Sequence, residues 1–329
     1  MIMDETFDPF LLTILGCPID HGELFQNGCT LMCSQGHRYP IFHGIPVLLI
    51  PSVTPTKNFS HNETLVARGD CEERNWRPCE TDSIHPVVQM IVAAAGGYLY
   101  KDLVGKLHTY PIPDLRLPCA ENKELLLDVG CNWGRWTIAA ARKGYTAIGV
   151  DPDIGALMAA RIVAAQLGVR ARYIAGDARY PPFRSRVFDL IFSYSVIQHF
   201  SKDDARVSIK EMQRMLRVPG KLFIQMPNKF GLRSGYHQLR KFRKRTGIFD
   251  VRYWSPRELK ETFSALIGPT QILVDGYFGL GIQPSDRDVV PWKIRPVIYA
   301  SECMRKLQRL VPPLLRVADS LYVSSCKVS

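Results

Sequence analysis

A chain of 329 residues, 46% apolar and 22% charged, has material for one sizeable core and a small second module, and this balance excludes a disordered or fibrous polymer. No window approaches the ~20 consecutive apolar residues of a membrane-spanning helix, and the opening MIMDETFDPF is acidic where a signal peptide would be basic, so a cytoplasmic location is expected. The formal net charge of +11 is unevenly placed, and its basic run either pairs with phosphates of nucleic acid, anionic lipid or a nucleotide-linked substrate or forms a solvated loop or helix face; nine scattered cysteines are expected reduced, a few of them metal-bound.

Taken in chain order, residues 10–50 alternate short apolar segments with Gly and Pro turns, a compact module placed at 1–51. Residues 52–83 are polar and proline-rich and read as linker. The stretch IHPVVQMIVAAAGGYLYKDLVGKLH, 84–108, has helical spacing with Gly96-Gly97 as a break, so 52–120 is expected to be linker and helical segment. Strand–helix alternation then begins. Strands are expected at Leu125–Val129, Ala147–Val150, Arg172–Ile174, Phe188–Ser193 and Leu222–Met226. The intervening helices are expected at Arg135–Lys143, Ile154–Leu167 and Asp203–Leu216. Such alternation predicts an α/β fold with a parallel sheet covered on both faces. A basic run holds Arg240, Lys241, Arg243, Lys244 and Arg245. Ser255-Pro256-Arg257-Glu258 has the composition of a helix start, with serine as cap, proline first and glutamate third. QILVDGYF reads as a strand, 296–318 as mostly helical with Pro312-Pro313 as a break, and SLYVSSCK as a closing strand.

The turn after the first of these strands carries the chemistry. In LLLDVGCNWGRWTIAAARKG, 125–144, the positions of a dinucleotide fingerprint fall on Gly130, Asn132 and Arg135, so two of three glycines are missing. What stands instead is an acid two residues before a glycine and a second glycine four residues later: Asp128, Gly130, Gly134. Asparagine tolerates the left-handed backbone almost as glycine does, so Asn132 can hold such a turn. Acids end the next two strands as well, Asp151 in AIGVDPD and Asp177 in YIAGDARYPPF, followed by LIFSYSVIQHF and MLRVPGKLFIQMPN.

In order and spacing these five features resemble the class I S-adenosylmethionine-dependent methyltransferases, most strongly over 121–228 and with closest similarity to the branch of ubiquinone-type and sugar or natural-product enzymes. The resemblance implies a Rossmann-like seven-stranded sheet whose last strand, SLYVSSCK, runs antiparallel, with 229–329 as a substrate-side segment that completes it. It implies S-adenosylmethionine as cofactor. Asp128 would attract its ammonium, and Gly130, Asn132 and Gly134 would let free backbone N–H groups take its carboxylate. Asp151 would accept the ribose hydroxyls, Asp177 with Ala178 would meet the adenine, and Ser193 would line the methyl-transfer end. His199, just past the fourth strand, is the candidate base for a hydroxyl nucleophile; Gln198 would shape the pocket, and Trp133 and Trp136 would cover the cofactor or simply pack.

The N-terminal LLTILGCP and CSQGHRYPIFHGIPVLL resemble the small zinc ribbon of the tRNA-methyltransferase activator type and that of bacterial rRNA guanine-N1 methyltransferases. The first knuckle departs from Cys-x-x-Cys: Cys17 is followed by Asp20 and His21, and the second is Cys33 with His37. Two sulfurs, one imidazole and one oxygen or nitrogen can still complete a tetrahedral zinc site, with Cys29 as a spare. The expected function is methyl transfer to a small-molecule or lipid- or sugar-linked acceptor, and the basic, apolar C-terminal segment would pack in the core, cap a pocket or make peripheral contact with a membrane. The alternatives are an rRNA or tRNA methyltransferase that docks RNA through ribbon and basic run, and a binding or activator protein without turnover.

Overall fold

The computed structural model describes residues 6–53, 84–95, 106–243, 251–279, 281 and 283–328. Most of the expected linker, the Gly96-Gly97 break, and Lys244 and Arg245 lie outside the described residues. The chain divides into two compact units, Met1–Phe188 and Asp189–Ser329.

The first unit opens with four short strands, β1 (Leu24–Asn27), β2 (Thr30–Cys33), β3 (Arg38–Phe42) and β4 (Ile45–Pro46), paired antiparallel in sequence order. Leu24, Leu31, Tyr39 and Ile45 are buried. A two-residue turn at 28–29, with Gly28 at φ 57°, gives the tight hairpin between β1 and β2. This module borrows its stability from what it rests on. Val47 bridges in parallel to Ala175, the Leu48 N–H donates to the Ala175 carbonyl at 2.8 Å, and Leu15 bridges Phe183. Asp8 adds a charge-assisted contact to Arg172 Nε at 2.7 Å, and the Phe10 ring lies under the same guanidinium. The pairing at 47–48 covers backbone at the end of a sheet, where an open edge would invite aggregation.

Past α1 (Pro86–Ala95) comes the alternating core: β5 (Leu125–Val129), α2 (Arg135–Arg142), β6 (Thr146–Asp151), α3 (Ile154–Gln166) and β7 (Arg172–Ala175). β5 pairs parallel with β6 and β6 with β7. All five residues of β5 are buried, as a strand covered on both faces requires. The Asp153 side chain caps α3 by accepting from the Ala156 N–H at 3.1 Å.

The second unit holds β8 (Phe188–Tyr194), α4 (Lys202–Met215), β9 (Leu216–Pro227), α5 (Leu232–Arg243), α6 (Pro256–Leu266), β10 (Thr270–Gly276), α7 (Arg295–Leu307) and β11 (Ser320–Lys327). β11 runs antiparallel to both β9 and β10. The full sheet has seven strands in the order β10-β11-β9-β8-β5-β6-β7, the α/β architecture expected, with the closing strand antiparallel. β9 begins at Leu216, six residues before the expected Leu222, because its extended backbone runs through Pro219 before the ladder with β11 opens at Gly220. Ser255 and Glu258 form the reciprocal cap of α6, the Glu258 N–H donating to Ser255 Oγ at 3.2 Å and the Ser255 N–H to Glu258 Oε2 at 2.8 Å. Among the described residues no helix is long and apolar enough to cross a membrane.

Candidate functional site

The turn after β5 is built from left-handed residues, Gly130 at φ 75°, Asn132 at 47° and Gly134 at 79°. Asn132 holds this conformation because its Oδ1 accepts the Trp133 N–H at 2.9 Å, a local bond that asparagine makes and most residues cannot. Its Nδ2 makes no hydrogen bond among the described residues. Gly134 is required for space as well: a Cβ there would come to 2.6 Å from Tyr173 Oη and 2.9 Å from Ala160 Cβ.

The backbone of the turn is not open in the way the sequence suggests. Gly130 and Cys131 donate to the Val150 carbonyl at 2.8 and 3.1 Å, Asn132 to Asp151 Oδ2 at 2.9 Å, Trp133 to Asn132 Oδ1 and Gly134 to the Cys131 carbonyl at 2.9 Å. All five N–H groups of residues 130–134 therefore have acceptors, which corrects the expectation that they wait for a ligand carboxylate. Trp133 and Trp136 are buried, so they pack.

Beneath the turn sits a buried acid. Asp128 is 1% exposed, its Oδ2 accepts from Thr137 Oγ1 at 2.7 Å, and desolvation, reinforced by the Asp151 charge, pushes its carboxyl up to about 7. The Cys131 thiol and the Tyr173 phenol are held well above their usual values by burial and by the neighbouring acids. The buried Tyr173 Oη has no hydrogen-bond partner among the described residues. A site that raises acids and leaves a phenol unsatisfied is short of positive charge and of polar contacts, and a cation arriving beside it would meet both needs.

Asp151, at the end of β6, accepts the Asn132 N–H on one oxygen and the Asp153 N–H on the other, each at 2.9 Å. Asp177 follows β7 and is clamped by Arg179, whose Nη2 approaches Oδ2 at 2.7 Å and whose Nε and backbone N–H donate to Oδ1 at 3.0 and 2.8 Å. Sequence reasoning missed Arg179, and the two-residue spacing Asp177–Arg179 was the available signal. Ala178 beside it is buried. The structure thus links Asn132 to Asp151 in a hydrogen-bonded turn with Gly130 and Gly134, with Asp128 beneath it bonded to Thr137 and Asp177 just past the end of the neighbouring strand β7.

Ser193 and His199 belong to the second unit. Ser193 is fully buried in β8. His199 ends a short 3₁₀ turn, Ile197–His199; its carbonyl accepts from Arg252 Nη1 at 2.8 Å, and its ring lies 3.5 Å from Gln198 Nε2. Gln198 Nε2 donates to Ser195 Oγ at 2.7 Å.

In the N-terminal module, Cys17 Sγ, Asp20 Oδ2, Cys33 Sγ and His37 Nδ1 converge, all within 4.8 Å of one another. His37 Nδ1 is 3.1 Å from Asp20, 3.2 Å from Cys33 and 3.5 Å from Cys17, and Cys33 is 3.4 Å from Asp20. Zinc bonds of about 2.0–2.3 Å give tetrahedral ligand–ligand edges of about 3.3–3.8 Å, so this donor set fits zinc. Of the two alternatives at the first knuckle, Asp20 joins the cluster. His21 stands outside it, in a left-handed turn at φ 58° where its N–H donates to the Cys17 carbonyl. Cys29 is exposed and also outside the cluster. Tyr39 Oη contacts Cys17 Sγ at 3.1 Å, an outer partner of the kind that orients metal ligands. Burial raises the Cys17 thiol, and the Gly22 N–H bond lowers the Asp20 carboxyl.

A family model described as a methyltransferase domain matches residues 126–220. A ubiquinone biosynthesis O-methyltransferase of Bartonella tribocorum is 29% identical over 145 residues, 42% of this chain and 58% of that protein. The corresponding Azorhizobium caulinodans protein is 28% identical over 104 residues, 32% of this chain and 40% of its own. The chain thus spans about half the length of these curated relatives. An Encephalitozoon cuniculi protein named as a methyltransferase is 30% identical over 155 residues, 46% of this chain and 67% of that protein. Among solved structures, an S-adenosylmethionine-dependent methyltransferase of Methanosarcina mazei aligns with a TM-score of 0.46 at 13% identity, over 64% of this chain and 95% of that one.

Proposed function

Since the chain belongs to the class I S-adenosylmethionine-dependent methyltransferases, we propose that it methylates a hydroxyl of a small-molecule or lipid-linked acceptor. The observation that carries the cofactor half is the pair of buried acids under a left-handed turn, Asp128 and Asp151, with Asp128 raised to about 7. When bound, S-adenosylmethionine supplies a methyl group already activated by its sulfonium. Around it, Asp128 favours the ammonium end, the Asn132 Nδ2 donates to the carboxylate, Asp151 accepts from the ribose hydroxyls, and Asp177 with Ala178 meets the adenine. Gly130 and Gly134 set the backbone path, and Ser193 lines the methyl-transfer end. His199 takes the acceptor's proton, as imidazole does near neutral pH. The chain's contribution is alignment and exclusion of water. Cys17, Asp20, Cys33 and His37 would hold zinc as a structural ion, with no part in the transfer.

For the acceptor, support comes from the relatives named as O-methyltransferases and from α5. Leu232, Tyr236 and Leu239, at i, i+4 and i+7, are 54%, 56% and 73% exposed, and α5 also carries Arg233, Arg240, Lys241 and Arg243. Apolar residues spaced along one side of a basic helix are the composition of an element that rests on an anionic membrane surface, from which a lipid-linked acceptor would be taken.

The test incubates the protein with methyl-labelled S-adenosylmethionine and a host extract, then separates RNA, lipid, protein and small molecules. Label in lipid or small molecules is expected. Label in nuclease-sensitive material would overturn the acceptor class and make the ribbon and basic run an RNA-docking surface.

A further inference from the structure

The loop that leaves β7 carries Asp177, and its backbone is held from within the first unit. Gly16 donates to the Pro182 carbonyl at 3.1 Å, Arg184 donates to the Ile14 carbonyl at 2.9 Å, and Leu15 bridges Phe183. Arg184 Nε adds a bond to the Leu15 carbonyl at 3.0 Å. At the start of the loop the Gly176 N–H donates to the Asp151 carbonyl at 3.2 Å, and the Tyr180 N–H closes the turn on the Asp177 carbonyl at 3.0 Å. The backbone at Asp177 is thereby fixed, and what remains to be set is the direction of its side chain.

Arg179 sets that direction. Its Nε and Nη2 form a fork on Oδ1 and Oδ2 at 3.0 and 2.7 Å, and its backbone N–H adds a bond to Oδ1 at 2.8 Å. Both side chains are 13% exposed. A guanidinium fork is planar and holds a carboxylate in its own plane, which the point charge of a lysine does not. Of the roughly four acceptor positions of a carboxylate, these bonds fill both on Oδ1 and leave one on Oδ2. The pairing also changes what the acid recognises. Asp128 has no ion pair among the described residues and suits a cation. Asp177 has its charge matched at contact by Arg179, and a matched carboxylate suits a neutral N–H donor.

We propose that Arg179 is a positioning residue for the methyl donor: it aims Asp177 Oδ2 at the exocyclic amino group of the purine and so sets the preference for an amino purine. The inference rests on the cofactor reading above. An oxygen at that place on the purine would bring a carbonyl against a carboxylate oxygen. A hydrogen there would leave the aimed acceptor without its donor. Arg179 acts through Asp177, and the bond from its N–H to Oδ1 is an Asx turn. The clamp is therefore local to the loop and is in place before a ligand arrives.

The test compares two ligands on one protein by calorimetry. One is S-adenosylhomocysteine; the other is its desamino analogue, which keeps the purine ring nitrogens and carries hydrogen in place of the amino group. The wild type is expected to bind S-adenosylhomocysteine about tenfold more tightly, the scale of one hydrogen bond whose acceptor is otherwise unpaired. Arg179→Gln loses the fork and the charge. It is expected to bring the two affinities within about threefold, by weakening S-adenosylhomocysteine and leaving the analogue within about twofold. Arg179→Lys, which keeps the charge without the fork, is the second variant if the first melts early, and its ratio is expected to fall between the other two. The ratio is taken within one preparation, so unfolded protein cancels, and a purely structural role would lower both affinities together. An unchanged ratio in both variants, or equal loss of both ligands, overturns the role of Arg179. A gain in S-adenosylhomocysteine affinity overturns it too, since the clamp would then withhold Asp177 from the purine. A wild type that binds both ligands alike overturns the Asp177 assignment and the role of Arg179 with it. A wild type that binds neither overturns the cofactor reading itself, so the failures are distinguishable.

Discussion

Replacing Asp128 by asparagine separates the charge of this buried acid from its shape. The amide oxygen can still accept from Thr137 Oγ1, which bonds the carboxylate at 2.7 Å. What is lost is a titration. In the folded chain desolvation, with the Asp151 charge behind it, lifts the carboxyl from its ordinary 3.8 to about 7. A folded state whose acid has the higher pKa binds more protons than the unfolded chain between those values. Stability must therefore fall as pH rises from about 4 to about 7. A gap of roughly three units corresponds to about 4 kcal/mol. Urea unfolding of both proteins at pH 4 to 8 is the assay. Wild type minus Asp128→Asn should be near zero at pH 4, grow against the wild type by about 1.4 kcal/mol per pH unit, and level off above pH 7. Taking the difference cancels the other carboxylates, several of which titrate with the opposite sign. Equal pH slopes in the two proteins would refute the reasoning.

The same acid links to the cofactor. If the ammonium of S-adenosylmethionine favours the ionised carboxylate, binding at pH 6 must release a proton. Calorimetry in buffers of different ionisation enthalpy should then register proton release in the wild type and none in Asp128→Asn, with affinity rising up to tenfold per unit below pH 7.

Three other predictions test other parts of the molecule. Purified protein should carry one zinc per chain, and Cys33→Ala should abolish it and lower the melting temperature; metal-free protein whose melting temperature ignores added zinc would remove the metal from the account. Gly134→Ala should cost about 2–4 kcal/mol in urea unfolding, because φ 79° strains any Cβ and that Cβ would fall 2.6 Å from Tyr173 Oη. Glu258 is pulled down to about 2, first by its bond from Lys202 and then by the Ser255 N–H. Its stabilisation is full above 4.5 and lost as pH falls through about 2. Comparing wild type with Glu258→Gln over that window should give an amplitude near 1 kcal/mol, kept small by solvent screening of side chains 40% and 44% exposed.

What could be read from the sequence was whatever is encoded locally. Strands β5 to β8 and helices α2 to α4 fall within a residue or two of the expected bounds, because period, caps and glycine turns are properties of neighbouring residues. The same holds for Asn132, whose left-handed backbone depends on a bond to the next residue, and for the Ser255 cap. Legibility ends where one hydrogen bond has two remote owners. Nothing in LLLDVGCNWG says that the Asn132 N–H belongs to Asp151, nineteen positions on, so the turn looked open when its donors were already engaged. The N-terminal module's choice between Asp20 and His21 was undecidable for the same reason: the answer lies in which side chain the Cys17 turn aims at Cys33 and His37. Tyr194 and Asp275, 81 residues apart, carry no shared motif at all. One signal was present and unused. QILVDGYF places an acid inside an otherwise apolar strand, and an acid buried in a strand has to be held by partners. Asking which hydroxyls could hold it is the step that leads from Asp275 to Tyr194 and Ser320, which donate to its Oδ2 at 2.8 and 2.7 Å.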